Sequence, residues 1–219
     1  MRPFYTLLAL LVLNGCGLTP QHHESEFTLG IEYLDEERQG VYRDDLPTQI
    51  FVNFPVIPGA IVGAVLTEGQ YSTFAYIGKT FTIDSKELLE SVEPYATPLL
   101  ATPYNVDTVV RPQSTKLLRV GTFAYDALSG EFLGATGLTL PGSDIHQLFL
   151  VYFDRPASLT GSFIDGEYAV EYDVHIDHAG FSWLKAVKEE SSLLRVTEHK
   201  LTGNEIIFIQ PPANKDKKA

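Results

Sequence analysis

The chain has 219 residues, of which 44% are hydrophobic, 11% aromatic and 20% charged, so a wholly disordered chain is excluded and a packed core is expected. The net charge of -12 is opposite in sign to the basic surfaces that bind phosphates, which excludes nucleic acid as a main partner. A single cysteine excludes an intrachain disulfide framework and an all-cysteine zinc site.

The first 15 residues have the layout of an export signal. Arg2 supplies a positive charge, and residues 7–13 form an apolar run that contains no polar side chain. This run is shorter than the roughly 20 residues needed to cross a hydrocarbon core of ~30 Å. The pattern therefore predicts a cleaved signal peptide over residues 1–15 rather than a permanent transmembrane helix.

The apolar run ends in Leu13-Asn14-Gly15-Cys16. Over residues 1–16 the chain resembles bacterial lipoprotein precursors, whose lipobox has a leucine, two small residues and then the cysteine. The resemblance implies that Cys16 is lipidated, with acyl chains such as palmitate that anchor the mature protein to a membrane. Gly17 stands where an inner-membrane retention signal has aspartate. The implied location is the outer membrane of the cell envelope, with the protein facing the periplasm or the surface.

The mature chain divides by composition into three parts. Residues 16–26 lack periodicity and predict a lipidated tether. Residues 27–210 predict a β-rich domain, and the place where it could be subdivided is near residues 95–112, where prolines interrupt the pattern. Residues 211–219 are polar and lysine-rich and predict a disordered tail. Within the domain, the acidic stretch 32–45 predicts a solvated loop or exposed face.

Short runs rich in β-branched and aromatic residues predict strands from residue 50 onward. Asp84-Ser85-Lys86-Glu87 has the spacing of a capping box and predicts one short helix over residues 85–92. The number of strands in the second half favours an antiparallel β-sandwich, Ig-like or related, with that one helix. The predicted strands are residues 50–54, 61–66, 72–77, 81–83, 116–126, 131–140, 147–153, 158–164, 167–177, 181–187, 193–197 and 205–209.

The strand predicted at residues 167–177 alternates between apolar and polar residues, so one face should meet a core and the other water. Asp173, His175 and Asp177 share the polar face at steps of about 6–7 Å, so their oxygen and imidazole ligands could approach one metal ion. A solvated sheet face produces the same pattern, and this interpretation is favoured. No metal or other cofactor is therefore predicted.

Nucleophilic catalysis has no motif in this sequence. A Gly-x-Ser-x-Gly elbow is missing, and Cys16 is committed to lipid if the export signal is as predicted. We therefore expect a membrane-anchored envelope lipoprotein that acts as a non-catalytic binding or assembly module for an envelope protein partner. One alternative is a carrier for a small apolar ligand, because an aromatic-rich β structure can enclose a cavity. A less favoured one is an envelope hydrolase or metal-dependent enzyme, which requires carboxylates to meet His146, His175, His178 or His199.

Overall fold

Nearly all of the described secondary structure is β, as the β-branched and aromatic runs predict. The computed structural model describes residues 26–34, 40–41, 48–53, 71–75, 80–99, 107–139, 147–165, 168–190, 192–203 and 205–210. Besides the strands, these residues form helix α1 (Ser85–Val92) and a 3₁₀ turn (Glu93–Tyr95). The strands are β1 (Glu26–Leu34), β2 (Gly40–Val41), β3 (Thr48–Asn53), β4 (Tyr71–Ala75), β5 (Thr80–Asp84), β6 (Thr97–Pro98), β7 (Val109–Arg111), β8 (Lys116–Asp126), β9 (Phe132–Thr139), β10 (Gln147–Phe153), β11 (Ala157–Asp165), β12 (Tyr168–Ile176), β13 (Gly180–Glu190), β14 (Leu193–His199) and β15 (Ile206–Gln210).

Hydrogen bonds join these strands into one sheet, whose main path is β2-β1-β15-β9-β8-β10-β13-β14-β12-β11-β7. Within the described residues, the prediction of a mainly β chain with one short helix is confirmed. The sheet is mixed rather than wholly antiparallel, because β1 pairs with β15 and β12 pairs with β14 in parallel. The parallel pair of β12 and β14 arises because β14 lies between β13 and β12 in the sheet, antiparallel to β13 and parallel to β12.

Helix α1 begins where the capping pattern predicts. An oxygen of the Asp84 side chain accepts hydrogen bonds from the amides of Lys86, at 2.7 Å, and Glu87, at 3.2 Å. These bonds satisfy two amide groups that an uncapped helix start leaves without partners. The helix then buries Leu88 and Val92 against the sheet, so its position is set by packing as well as by the cap.

One prediction for the first half of the domain needs correction. The acidic stretch predicted as a loop or exposed face begins inside β1, where Glu32 is half-buried and Tyr33 is buried. A subdivision near residues 95–112 stays a prediction; the described part of this segment contains two short strands, β6 and β7, which pair with β8 and β11. The strand predicted at residues 61–66 lies outside the described residues, as does the predicted tail.

Strands β8, β10 and β13 separate two apolar cores, because successive side chains of a strand point to opposite faces. Leu118 and Leu150 belong to core 1, while their neighbours Leu117 and Val151 belong to core 2. Core 1 consists of the following buried residues: Phe27, Leu29, Ile31, Tyr33, Ile83, Leu88, Val92, Ala96, Leu118, Val120, Ala124, Leu148, Leu150, Tyr152, Phe181, Trp183 and Ile209. Core 2 consists of Val110, Leu117, Val151, Phe153, Ala157, Leu159, Val170, Tyr172, Val174, Ile176, Leu184, Ala186 and Val196.

The ladders also fix which connections share an end of the sheet. The registers of β8 with β10, β10 with β13, and β13 with β14 bring the β8–β9 and β13–β14 connections to one end. The parallel pairing of β14 with β12 adds the β11–β12 connection to the same end. We call this the distal end. β1 starts at the opposite end, because it is parallel to β15, β15 is antiparallel to β9, and β9 starts at the distal end. Within the described ranges, no helix is long and apolar enough to span a membrane.

Candidate functional site

The residues singled out from the sequence lie in different surroundings. Cys16 and His146 are outside the described residues. Asp173 and His175 are exposed on the polar face of β12, as the alternation predicts. Asp177 lies past the end of β12, so it does not belong to the polar face that carries Asp173 and His175. Among the described residues, no group of three or more histidines, cysteines and acidic residues is arranged to hold a metal ion.

Asp177 instead contacts the next residue in the β12–β13 connection. Its carboxylate lies 2.8 Å from His178 Nδ1, while His178 Nε2 lies 3.4 Å from both the Ser182 hydroxyl and the Phe181 carbonyl oxygen. The order carboxylate, imidazole, hydroxyl is that of a hydrolytic relay. The surroundings favour a structural role, because Ser182 is only 4% exposed within β13 and the Asp177 side chain is 87% exposed to water. The contacts therefore serve best to hold the connection between two strands.

A second histidine–carboxylate pair closes the connection from β14 to β15. The buried Glu205 side chain accepts hydrogen bonds from His199 Nε2 at 2.9 Å, from the Thr202 amide and hydroxyl at 2.8 and 2.9 Å, and from the Gly203 amide at 2.9 Å. Burial by itself would raise the pKa of Glu205, but the hydrogen bonds from His199 and Thr202 lower it to about 2. The carboxylate is thus ionised at neutral pH and engaged in holding this loop.

The β8–β9 turn has the opposite character, since it is ordered yet exposes an apolar side chain. An oxygen of Asp126 accepts hydrogen bonds from the amides of Leu128, at 2.9 Å, and Ser129, at 2.6 Å. Gly130, with φ of 73°, adopts the left-handed conformation that closes the turn, and its amide donates to the Asp126 carbonyl. Bonds from Ser129 lower the pKa of Asp126, which stays ionised. The result is a well-defined turn in which Leu128 is 77% exposed.

Two further large apolar side chains are exposed at the distal end. Phe132 is 41% exposed at the start of β9, with its ring centroid 5.5 Å from that of Tyr125. Ile164 is 68% exposed near the end of β11. Single exposed apolar residues are common on proteins, but these three share one end of the sheet, although β8 and β11 are five ladder steps apart along its path. We call Leu128, Phe132 and Ile164 the distal apolar residues.

Core 2 has polar groups at its edge. The hydroxyls of Thr97, Thr108 and Thr115 are buried and have no hydrogen-bond partner among the described residues. Thr97 pairs with Leu117 across the β6–β8 ladder, which places it on the core 2 side, while Thr108 and Thr115 directly precede strands β7 and β8, which supply Val110 and Leu117 to core 2. Buried hydroxyls without partners are rare in native proteins and often mark bound water or ligand.

A cation lies on the core 2 side of β8, two residues from Leu117. The Arg119 guanidinium is 4.8 Å from the centroid of the Phe149 ring, which packs against core 2. Burial lowers the pKa of Arg119, while attraction to Tyr172 raises it. Core 2 is therefore bordered by both hydroxyls and a charge, a combination that is unusual for a purely structural core.

Sequence reasoning missed the distal apolar residues because Leu128 and Ile164 looked like parts of ordinary strands and turns. The usable signal was Leu128 itself, a large apolar residue between Asp126 and Gly130 in a turn that is otherwise small and polar. The three threonines gave no signal, since their burial depends on pairing between distant segments. No protein-family model, curated protein or solved structure matches this chain.

Proposed function

We propose that the protein is a membrane-anchored envelope lipoprotein whose β domain is a non-catalytic binding or assembly module. The anchor is supported by the lipobox-like sequence that ends at Cys16. The binding role rests on one observation, the exposure of Leu128 in a turn that is held in place by Asp126. A non-catalytic role fits the engagement of His178 and His199 in contacts that hold connections between strands.

The finer fold assignment, a sandwich of Ig-like or related type, belongs to the same proposal. It is supported by the two cores on opposite faces of β8, β10 and β13 and by core 2 itself, in which Leu117 of β8 and Val174 of β12 belong to one buried cluster. This shared cluster suggests that the sheet folds back so that β8 and β12 face each other across core 2. An experimental structure of the full chain would test the arrangement.

Replacing Cys16 by alanine is expected to abolish incorporation of labelled palmitate and to release the protein from the membrane fraction of a native bacterial host. The physical reason is that several acyl chains, at ~0.8 kcal/mol for each buried CH₂, bind a membrane firmly, while the acidic domain has no affinity for anionic headgroups. Ser25→Ala, in the same segment, is the control and should keep both label and location. A wild-type protein that is unlabelled and fully soluble would contradict the anchor.

A second candidate function is a carrier for a small, largely apolar ligand. The specific observation is that Thr97, Thr108 and Thr115 have buried hydroxyls without a hydrogen-bond partner among the described residues, and that the Arg119 guanidinium lies over Phe149, which packs against core 2. A ligand with an apolar body and one polar group would supply the hydrogen bonds that these hydroxyls lack. An envelope carrier would need such a mixed site to hold its cargo in a fixed orientation.

Thr115→Val tests this candidate, because it removes one buried hydroxyl with little change in shape. If the site carries a ligand, native mass spectrometry of the wild type should show a bound mass that the variant loses. If it does not, the variant should be more stable by about 1 kcal/mol in urea unfolding, since an unpaired hydroxyl is no longer buried. Thr160→Val, at an exposed position of β11, is the matched control.

A further inference from the structure

We infer that the distal apolar residues form a docking surface for a protein partner whose own surface combines apolar pockets with lysine and arginine side chains. This inference deepens the proposed function, on which it rests for the position of the membrane anchor. Three features indicate the kind of partner that fits this surface: the shared location of the exposed apolar groups, the charge around them, and the distance to the anchored end.

The distal apolar residues share one end of the sheet, and Leu128 lies on an ordered turn. Leu128 and Ile164 belong to different hairpins that are far apart in sequence, yet the ladders bring both to the distal end. The turn around Leu128 is held by the Asp126 carboxylate and by a hydrogen bond of 2.8 Å from the Asp126 amide to the Glu131 carbonyl. An apolar group on an ordered turn loses little conformational entropy on binding, which favours its use as an anchor in a partner's pocket.

The sequence around Leu128 and around Ile164 is acidic. Residues 126–131 contain Asp126 and Glu131 and no basic residue, and residues 164–167 contain two acidic residues and no basic one. The nearby cations are engaged: Arg195 contacts Glu189 at 2.7 Å and Glu171 at 3.3 Å, and Lys188 lies over the Tyr168 ring. Leu128 and Ile164 thus each have two acidic residues within three positions in the sequence. A complementary partner surface is apolar at its centre and basic at its rim.

The distance between the anchor and the distal end favours a protein partner over the membrane. Ten residues lead from Cys16 to Glu26, and even fully extended they span at most about 35 Å. Strand β8, with 11 residues, is about as long, at ~37 Å, and runs from the half of the sheet where β1 starts to the distal end. Inserting Leu128 into the same bilayer would use the entire reach of the tether. Anionic headgroups would also repel the acidic turns, so a protein is the favoured occupant.

The inference is tested with the full-length anchored protein in a native bacterial host. The photo-crosslinking amino acid p-benzoylphenylalanine replaces Leu128 in one protein, Ile164 in a second, and Tyr95, an exposed aromatic residue away from the distal end, in a third. We expect positions 128 and 164 to crosslink to the same protein and position 95 not to do so. With that partner purified, Leu128→Ser and Ile164→Ser should each weaken binding about tenfold, and added salt should weaken binding of the wild type.

Glu131→Gln provides the charge control, and its affinity should depend less on salt than that of the wild type. Crosslinks from both positions to phospholipid, to two different proteins or to nothing would overturn the inference, as would a common partner whose binding ignores salt and both serine substitutions. Palmitate labelling of the same crosslinking proteins, with Cys16 intact, separates the two proposals. If these proteins are not labelled while positions 128 and 164 still capture one protein, the anchor is wrong and the docking surface stands. If they are labelled but neither position crosslinks, the anchor stands and the docking surface is wrong.

Discussion

Gly161→Ala is expected to destabilise the protein by about 4 kcal/mol or more, enough to reduce its soluble yield sharply. Gly161 lies in β11 with φ of 116°, a region that L side chains rarely adopt and that costs about 1–3 kcal/mol. A Cβ at this position would also overlap the carbonyl oxygen of Asp107 and lie 2.9 Å from the Thr108 Cα. Both are backbone atoms of the segment that leads into β7, so they cannot move aside as a flexible side chain can.

Gly180→Ala is the matched control for this prediction, since Gly180 has φ of 118° but open space around its Cβ position. It should lose only the conformational part, about 1–2 kcal/mol. The measurement is the free energy of unfolding in urea for both variants beside the wild type. Equal losses in the two variants would mean that the backbone of residues 107 and 108 does not press against β11 as described.

Glu205→Gln is expected to cost about 3 kcal/mol at neutral pH. The substitution keeps the shape of the side chain, but it removes the charge that four hydrogen-bond donors face. It also brings an amide NH₂ towards groups that are themselves donors. Hydrogen bonds to a charged group contribute about 1.5–3 kcal/mol each, and this substitution weakens several of them at a buried side chain at once.

The same carboxylate makes stability depend on pH. The pKa of Glu205 is about 2 in the folded protein and 4.5 as an ordinary glutamate, so the unfolded chain binds more protons between these values. The contribution of Glu205 to the free energy of unfolding is therefore complete above pH 4.5 and is lost as the pH falls towards 2. We expect the difference in unfolding free energy between the wild type and Glu205→Gln to shrink over this interval in urea titrations at stepped pH.

Glu198→Gln is the control for this effect, because Glu198 stands next to His199 in β14 with its side chain partly exposed. The change should stay within about 0.5 kcal/mol of the wild type and leave the pH dependence between 4.5 and 2 unaltered. A Glu205→Gln protein that matches the wild type in both stability and pH dependence would rule out the buried pair with His199.

Local signals explain what sequence analysis predicted correctly. The bounds of β8 and β10 and of helix α1 coincide with the predicted residues, because strand propensity and the Asp84 cap act within a few neighbours. In β12 the alternation predicted the buried face of Val170, Tyr172 and Val174. β1 alternates as well, with Phe27, Leu29, Ile31 and Tyr33 buried, but the acidic residues that follow obscured the pattern.

Long-range pairing explains what was missed. β6 and β7 contain two and three residues, too few for a pattern, and they exist because β8 and β11 offer partners for their backbone hydrogen bonds. Glu205 was placed in a strand whose burial pattern gave no hint of a buried charge. Its donors are His199, Thr202 and Gly203, and only the folding of the loop brings them around one carboxylate.

The sequence by itself therefore determined the strand-rich class, helix α1 and the expectation of a lipid anchor at Cys16, because each depends on residues close together in the chain. The tertiary structure alone decided the mixed sheet, the two cores and the common end shared by Leu128 and Ile164. Those features depend on strand register and order, and these are set by contacts between segments that no local pattern connects.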